Sequence, residues 1–397
     1  MVNSNNRIKK LVIITACLDD WGGSEELWAK SIPHFKSNGV DNVILYKNRV
    51  NKQHPQFKNL IKEGLQIREF DGKLKRLKSI TAKVGHVIGR IADKLGIAEF
   101  SWNKSAKNIS NFLAKDSPDF AIISQGINFD GLSFAYECLK QNIPYIIVAH
   151  KAVEFYWPSQ GDRNYMKQTL LKAKKCLFVS KHNLKITEEQ FGVRLPNSEI
   201  ILNPVKTEVN PLPYPTNNEI IKLACVGRLF VIDKGQDILL RILNSPKWRE
   251  RNLSITFLGK GPDEQGLKDM AELFGLRNIY FKGYTDDIRE IWKEHHALIL
   301  PSRSEGLPLT IIEAMSFGRP TIASNAGGNA EIIQDGITGF IGEGDEYSFD
   351  LAMEKAWQRS SEWEDIGRKA AEYIKQVLPP NPEKIFADLV LKSLKTD

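Results

Sequence analysis

The sequence predicts an α/β chain made of two parallel sheets, each covered by helices on both faces. Three observations point there: short β-branched runs alternate with stretches of helical period, the alternation stops once and restarts, and prolines crowd the break. The first series of runs is Leu11–Ala16, Val43–Tyr46, Ala121–Ser124, Tyr145–Ala149 and Cys176–Val179, with helical patterns such as Glu25–Ser37 and Phe134–Gln141 between them. Nearly continuous apolar runs of this kind suit strands buried on both faces. Pro204, Pro211, Pro213 and Pro215 then mark a semi-rigid linker. Beyond it the strand candidates are Ile221–Val226, Ser254–Leu258, Ile279–Lys282, Ala297–Leu300 and Thr321–Ser324, and helices are expected to begin near Gly235, Pro262, Asp286, Pro308 and Asn329.

Composition narrows the class. With 42% hydrophobic and 26% charged residues in 397, the chain is not disordered, collagen-like or a disulfide scaffold. Cys17, Cys138, Cys176 and Cys225 lie far apart without a C-x-x-C pair, so they are expected to be buried thiols in a reducing compartment. His182 and the pair His295-His296 lack metal-ligand spacing, and no metal site is expected. Basic residues precede the first apolar run, but Asp19-Asp20 end it and no small-residue cleavage site follows. No run of 18 apolar residues occurs either, so a soluble protein is expected.

The net charge of +7 is uneven. Residues 1–205 carry 31 basic and 19 acidic side chains, whereas the rest carry 24 and 29. A basic first half suggests an anionic neighbour. The segment 73–94 holds seven basic residues and one acid, with Leu74, Leu77, Ile80, Val84, Ile88 and Ile91 at helical spacing. It is a candidate for peripheral contact with an anionic membrane. No nucleic-acid module is present in the sequence, so that partner is not expected.

Ligands of open parallel sheets bind beyond the carboxyl ends of the strands, which directs attention to the residues just after each one. After Ala297–Leu300 comes Pro301-Ser-Arg-Ser-Glu-Gly-Leu-Pro-Leu-Thr-Ile-Ile-Glu313. Pro308 fits the first helical position, so Glu305 falls in the loop and Glu313 inside the helix. Unpartnered first-turn N–H groups around Pro308 favour an anion, and acidic side chains beside them can bind hydroxyls. A sugar attached to a diphosphate offers both. Arg228 and Lys234, after Ile221–Val226, could bracket the diphosphate, one by forked hydrogen bonds and one as a point charge. Gly259-x-Gly261 with Gly266 has the wrong spacing for a dinucleotide fingerprint.

Glu305 and Glu313 form an E-x7-E pattern. Together with Val226-Gly-Arg-Leu229, Lys234-Gly-Gln-Asp237, Phe257-Leu-Gly-Lys-Gly-Pro262, Phe281-Lys-Gly283, Leu300-Pro-Ser302 and Gly327-Gly328 they cover about residues 220–342. In these motifs the chain resembles retaining glycosyltransferases of the GT-B fold, family 4. The amino-terminal half is similar more loosely, through Gly22-Gly23-Ser24-Glu25 and His150.

The resemblance implies two Rossmann-like domains facing across a cleft: an acceptor-side domain, 1–205, and a nucleotide-sugar domain, 206–375, with a terminal helix, 376–397, packing back on the first. It implies that Arg228 and Lys234 bind the donor diphosphate, that Glu305 contacts the transferred sugar, and that Gly306, Leu307, Pro308 and Leu309 lie against sugar and phosphate. Glu313 is implied to bind the ribose, Tyr284 to lie at the base, Gly22 and Gly23 at the phosphates, and His150 near the reaction centre. Catalysis would rest on Glu305, His150, Arg228 and Lys234. Retention in this family is described as attack on the face that the leaving group vacates, with the departing phosphate accepting the proton. No Asp-x-Asp occurs in the chain, so no divalent ion or other cofactor is expected.

The expected partners are a nucleotide sugar, with uridine as its base, and a glycan or lipid-linked acceptor. The expected location is cytoplasmic, at the inner face of the membrane. Phe155, Tyr156 and Trp157 are candidates to wall the acceptor. The alternatives are a non-catalytic GT-B partner subunit, for which loss of the Arg, Lys or Glu positions would speak, and a nucleotide-sugar epimerase or phosphorylase.

Overall fold

The computed structural model describes residues 8–17, 20–70, 103–205, 207–216 and 219–393. The basic segment 73–94 lies outside the described residues. Two compact units share the chain: one is Met1–Pro204 with Pro380–Asp397, the other Val205–Pro379.

The first unit contains β1 (Lys10–Thr15), β2 (Asn42–Lys47), β3 (Gln66–Glu69), β4 (Phe120–Gln125), β5 (Tyr145–Ala149), β6 (Lys175–Phe178) and β7 (Ser198–Ile200). They lie in the order β3-β2-β1-β4-β5-β6-β7, and every pairing is parallel. The second unit repeats the plan with β8 (Ile221–Val226), β9 (Leu253–Leu258), β10 (Ile279–Gly283), β11 (Ala297–Leu300), β12 (Thr321–Ser324) and β13 (Gly339–Gly342), in the order β10-β9-β8-β11-β12-β13. In each sheet the order reverses beside the first strand, between β1 and β4 and between β8 and β11. That reversal is the topological switch point of doubly wound folds, where loops diverge and leave a crevice.

The ten strands expected from apolar runs all form. β3, β7 and β13 carry no such signal, and each lies at the end of its sheet. An end strand has one neighbour and needs less apolar surface: β3 and β7 are partly exposed, and β13 is Gly-Phe-Ile-Gly.

The expected division at 375 falls inside a helix, Trp363–Val377, whose Trp363 and Ile366 belong to the core of the second unit. The chain crosses back only at Pro379-Pro380, because successive prolines cannot continue the helix. Pro382–Ser393 then forms a separate helix on the first unit. There Phe386, Ala387 and Val390 are fully buried, the Phe35 and Phe386 rings meet at 6.3 Å, and Ser31 Oγ donates to the Glu383 carbonyl at 2.8 Å. Pro308 also differs by one position from its expected place. Its φ of −70° suits a helix, but its ψ of 120° is extended, so it caps the helix Leu309–Ser316 and Leu309 is the first helical residue. All four cysteines are buried and free. Among the described residues no helix is long and apolar enough to cross a membrane.

Phe386→Ala should empty the contact between this last helix and Phe35. Urea unfolding of the first unit should show a loss of about 3–5 kcal/mol; an unchanged midpoint would mean that the helix adds nothing to that core.

Candidate active site

The second unit assembles its site from the loops that leave β8 and β11, the two strands at its switch point. After β8 the chain runs through Gly227-Arg228 into a single helical turn, Val231–Lys234, that ends at Gly235. Gly235 has φ +61°, and a Cβ there would lie 2.0 Å from the Pro301 carbonyl oxygen, so only glycine lets the two loops touch. The Asp233 carbonyl accepts the N–H groups of Arg303 (2.8 Å) and Ser304 (3.1 Å). Arg303 then forks onto Asp237 at 2.6 and 2.9 Å and donates to the Val231 carbonyl at 2.7 Å. Burial pushes the Asp237 carboxyl up, but Arg303 and Arg241 outweigh it and hold the group below its ordinary range.

These ties bring Lys234 against Glu305. The Lys234 ammonium donates to both Glu305 carboxylate oxygens, at 2.6 and 2.8 Å, and Ser302 Oγ donates to one of them at 2.7 Å. Glu305 is buried and Lys234 partly so, hence the pair is desolvated and neither charge can be removed cheaply. Behind it, Gly327 (φ +55°) comes so close that a Cβ would lie 2.2 Å from the Glu305 carbonyl oxygen, and the Gly328 N–H donates to the Gly306 carbonyl at 2.7 Å. The glutamate loop is thus clamped on two sides before it enters the helix at Pro308. Leu307 is buried in that loop, and Glu313 is buried at the fifth position of the helix.

Arg228 is close in the chain but differently held. Its guanidinium lies 4.7 Å from the Phe230 ring centre and 3.7 Å from the Asp233 carboxylate, and its side chain is half exposed. Tyr284 leaves β10 at the sheet edge, two strands from β8. It is 63% exposed, and its hydroxyl donates to Asp286. The structure therefore unites Lys234 with Glu305.

The first unit holds the other candidates. Gly22 caps the helix Gly23–Ser37, and its N–H donates to Glu25 Oε2 at 3.1 Å, which Ser24 Oγ also reaches at 2.7 Å. The second Glu25 oxygen meets Lys47 Nζ at 3.2 Å, and Lys47 donates to the Cys17 carbonyl at 2.6 Å, with both side chains buried. This ion pair fixes the glycine turn between β1 and the helix, and the sequence reading assigned neither residue a role. A lysine closing the buried run Val-Ile-Leu-Tyr-Lys47 was its one visible sign.

His150 follows β5 directly. Its Nε2 lies 3.3 Å from Ser124 Oγ, its buried Nδ1 has no hydrogen-bond partner, and burial pushes the imidazole down to about 4. It is therefore neutral near pH 7. Asp130, at the end of the loop after β4, accepts the N–H groups of Gly126 (2.9 Å) and Ile127 (3.0 Å), and burial pushes its carboxyl up to about 7.

Residues 221–359 match the family model described as glycosyl transferases group 1. The matched stretch lies wholly within the second unit and spans β8 to β13. Similar proteins include an uncharacterized glycosyltransferase of Haemophilus influenzae, 33% identical over 150 residues (36% of this chain, 42% of that one), and the lipopolysaccharide 1,6-galactosyltransferase of Escherichia coli, 29% identical over 160 residues (38% and 43%). The chain spans about half the length of the curated relatives it matches.

Solved structures match over nearly the whole chain. A glycosyltransferase from Rickettsia africae aligns with a TM-score of 0.71 at 19% identity, covering 99% of this chain and 100% of that one. Anabaena HepE in complex with UDP aligns with 0.67 at 16%, covering 96% and 97%. The fold is GT-B.

Two substitutions test the electrostatics of the first unit. An unfolded histidine binds a proton below its ordinary 6.5 that folded His150 refuses until about 4. His150 therefore makes stability fall as pH drops through that window, by up to about 3 kcal/mol. Asp130 works in reverse, since the folded state keeps a proton that the unfolded chain releases above 3.8, and its contribution falls as pH rises toward 7. Urea midpoints between pH 4 and 7 should show a shallower acid-side loss in His150→Leu and a steeper one in Asp130→Asn. Separately, Lys47→Met strands Glu25 without its partner and should cost about 3–5 kcal/mol; Glu25→Gln in the same chain should recover part of that loss.

Proposed function

We propose that this protein is a retaining glycosyltransferase of family 4 that transfers a hexose from a nucleoside-diphosphate sugar to a glycan or lipid-linked acceptor without a divalent metal. The observation that carries the reading is the Lys234–Ser302–Glu305 group at the switch point of a group 1 glycosyltransferase domain. It sets a cation, a hydroxyl and a carboxylate side by side, as a sugar diphosphate requires.

The chemistry follows from charge. Departure of the nucleoside diphosphate builds negative charge on the β-phosphate oxygen as the bond to the sugar breaks. Lys234 is positioned to stabilise that charge, with Arg228 beside it and the N-terminus of the helix Leu309–Ser316 as a third source of positive potential. Glu305, released from Lys234 as phosphate replaces it, accepts hydrogen bonds from the sugar hydroxyls. Gly306, Leu307, Pro308 and Leu309 present backbone to sugar and phosphate, Glu313 takes the ribose hydroxyls, and Tyr284 lies toward the base. Gly22, Gly23 and His150 are the first unit's candidates in this reading, His150 as a neutral imidazole.

HepE was solved in complex with UDP and with UDP-glucose, and the similar Escherichia coli protein is a galactosyltransferase. The first supports a uridine nucleotide and both support a hexose. Action at the inner membrane face is part of this reading and rests on the basic amphipathic pattern of residues 73–94.

A thermal-shift series with UDP, GDP, ADP and their hexose conjugates tests the donor, because a ligand raises the unfolding temperature in proportion to its occupancy. UDP-hexoses should shift the wild type in EDTA and leave Lys234→Ala unshifted. Lys234→Ala and Glu305→Gln should each lower transfer by about 100-fold or more, equivalent to about 3 kcal/mol of transition-state stabilisation. Proton NMR of the fresh product should show the anomeric configuration of the donor. Wild-type rates in both variants, or an inverted product, would sink the reading.

A further inference from the structure

The loop that leaves β5 carries three consecutive large aromatics that the protein does not bury. Phe155, Tyr156 and Trp157 are 58%, 55% and 62% exposed. Single exposed aromatics are ordinary, but three in a row form a patch that water disfavours.

The root of this loop is fixed. Ala152 and Val153 are buried, and Asn128, held at φ +37°, accepts the Val153 N–H at 2.8 Å and donates to its carbonyl at 3.2 Å. Buried Gln190 donates to the carbonyls of Val153 (2.8 Å) and Tyr156 (2.5 Å) and accepts from Asn128 at 3.2 Å. Two buried amides on two other elements therefore pin the backbone that displays the rings. Trp157 Nε1 donates to the Glu154 carbonyl at 3.0 Å, and the Phe155 and Tyr156 rings lie 5.6 Å apart. Glu154 meets His182 Nε2 at 2.8 Å, which holds its carboxyl below the ordinary range. The patch is thus a set of rigid apolar faces with an ionised carboxylate and an imidazole at the rim.

Its chemistry selects the occupant. A pyranose ring has an apolar C–H face and a border of hydroxyls, so one face stacks on an aromatic ring while the hydroxyls meet a carboxylate. A bilayer's acyl and headgroup layers offer no such ring face bordered by hydroxyls. The place in the fold agrees, since the loop follows His150 at the carboxyl end of β5, the ligand end of a parallel sheet. We propose that Phe155, Tyr156 and Trp157 form a stacking platform for a saccharide ring of the acceptor, with Glu154 and His182 taking hydroxyls at its edge. The assignment as acceptor rests on the glycosyltransferase reading above.

The test uses the full chain and the methyl glycosides of glucose, galactose, mannose, N-acetylglucosamine and rhamnose as probes. Saturation-transfer NMR should mark the ring C–H protons of at least one glycoside with the wild type. The double variant Phe155→Ala, Trp157→Ala should bind it about tenfold more weakly, as loss of one aromatic stack costs on nucleobases. Trp157→Phe should keep most of the affinity, and all variants should keep the wild-type unfolding temperature and the UDP shift, since the side chains are exposed.

Three results would overturn the platform: no response from any of the five glycosides, equal affinity in wild type and double variant, or loss by the double variant of binding to 1:1 phosphatidylglycerol–phosphatidylethanolamine vesicles with glycoside binding intact. A glycoside signal that depends on the aromatics, in a wild type that UDP does not shift, would support the platform and reject the donor reading.

Discussion

The contact between Lys234 and Glu305 is the interaction on which the second unit's site depends. Opposite charges this close to burial are stable only while they face each other, so both loops must be held to within a few tenths of an ångström. Much of the surrounding structure does that holding: the Asp233 carbonyl under Arg303 and Ser304, the Arg303–Asp237 fork, and two glycines whose bare backbones allow contact with Pro301 and Glu305. The same pairing gives the site its chemical character, because it sets a cation, a carboxylate and the Ser302 hydroxyl side by side.

The first unit solves a related problem with different residues. Its glycine turn after β1 is held by Glu25, and Glu25 is neutralised by Lys47 from the neighbouring strand β2. Here too a buried ion pair sits at the carboxyl end of the sheet. Such pairs are seldom the cheapest way to stabilise a core, and their value lies in fixing a loop geometry that hydrophobic contacts would leave loose. His150 and Asp130, close to their own strand ends, are both kept uncharged more readily than in water by burial.

The parts of this architecture that were legible in the sequence share a physical basis. Strands buried on both faces must be apolar along their length, and that signature gave the interior strands of both sheets. β3, β7 and β13 escaped it because an end strand can be short, polar or glycine-rich. The E-x7-E spacing and the Arg228 and Lys234 positions were visible because a loop followed by a helix fixes them by chain geometry alone. Lys47 was not, because its partners Cys17 and Glu25 lie in a loop and on a helix, 30 and 22 positions away. Asp130 was not, because the burial that raises it comes from packing, and Asn128 with Gln190 were not, because 62 positions separate two side chains that share one loop.

The sequence by itself determined the doubly wound α/β class, the restart near the proline-rich stretch and the motif residues after β8 and β11. These are local properties, carried by hydrophobic period, proline and glycine. The tertiary structure alone decided that Lys234 bonds to Glu305 rather than standing open beside Arg228, and that the chain returns to its first unit at Pro379-Pro380. The first outcome depends on strand order, which brings together residues that no sequence interval relates, and the second on which unit's core covers the apolar face of each helix.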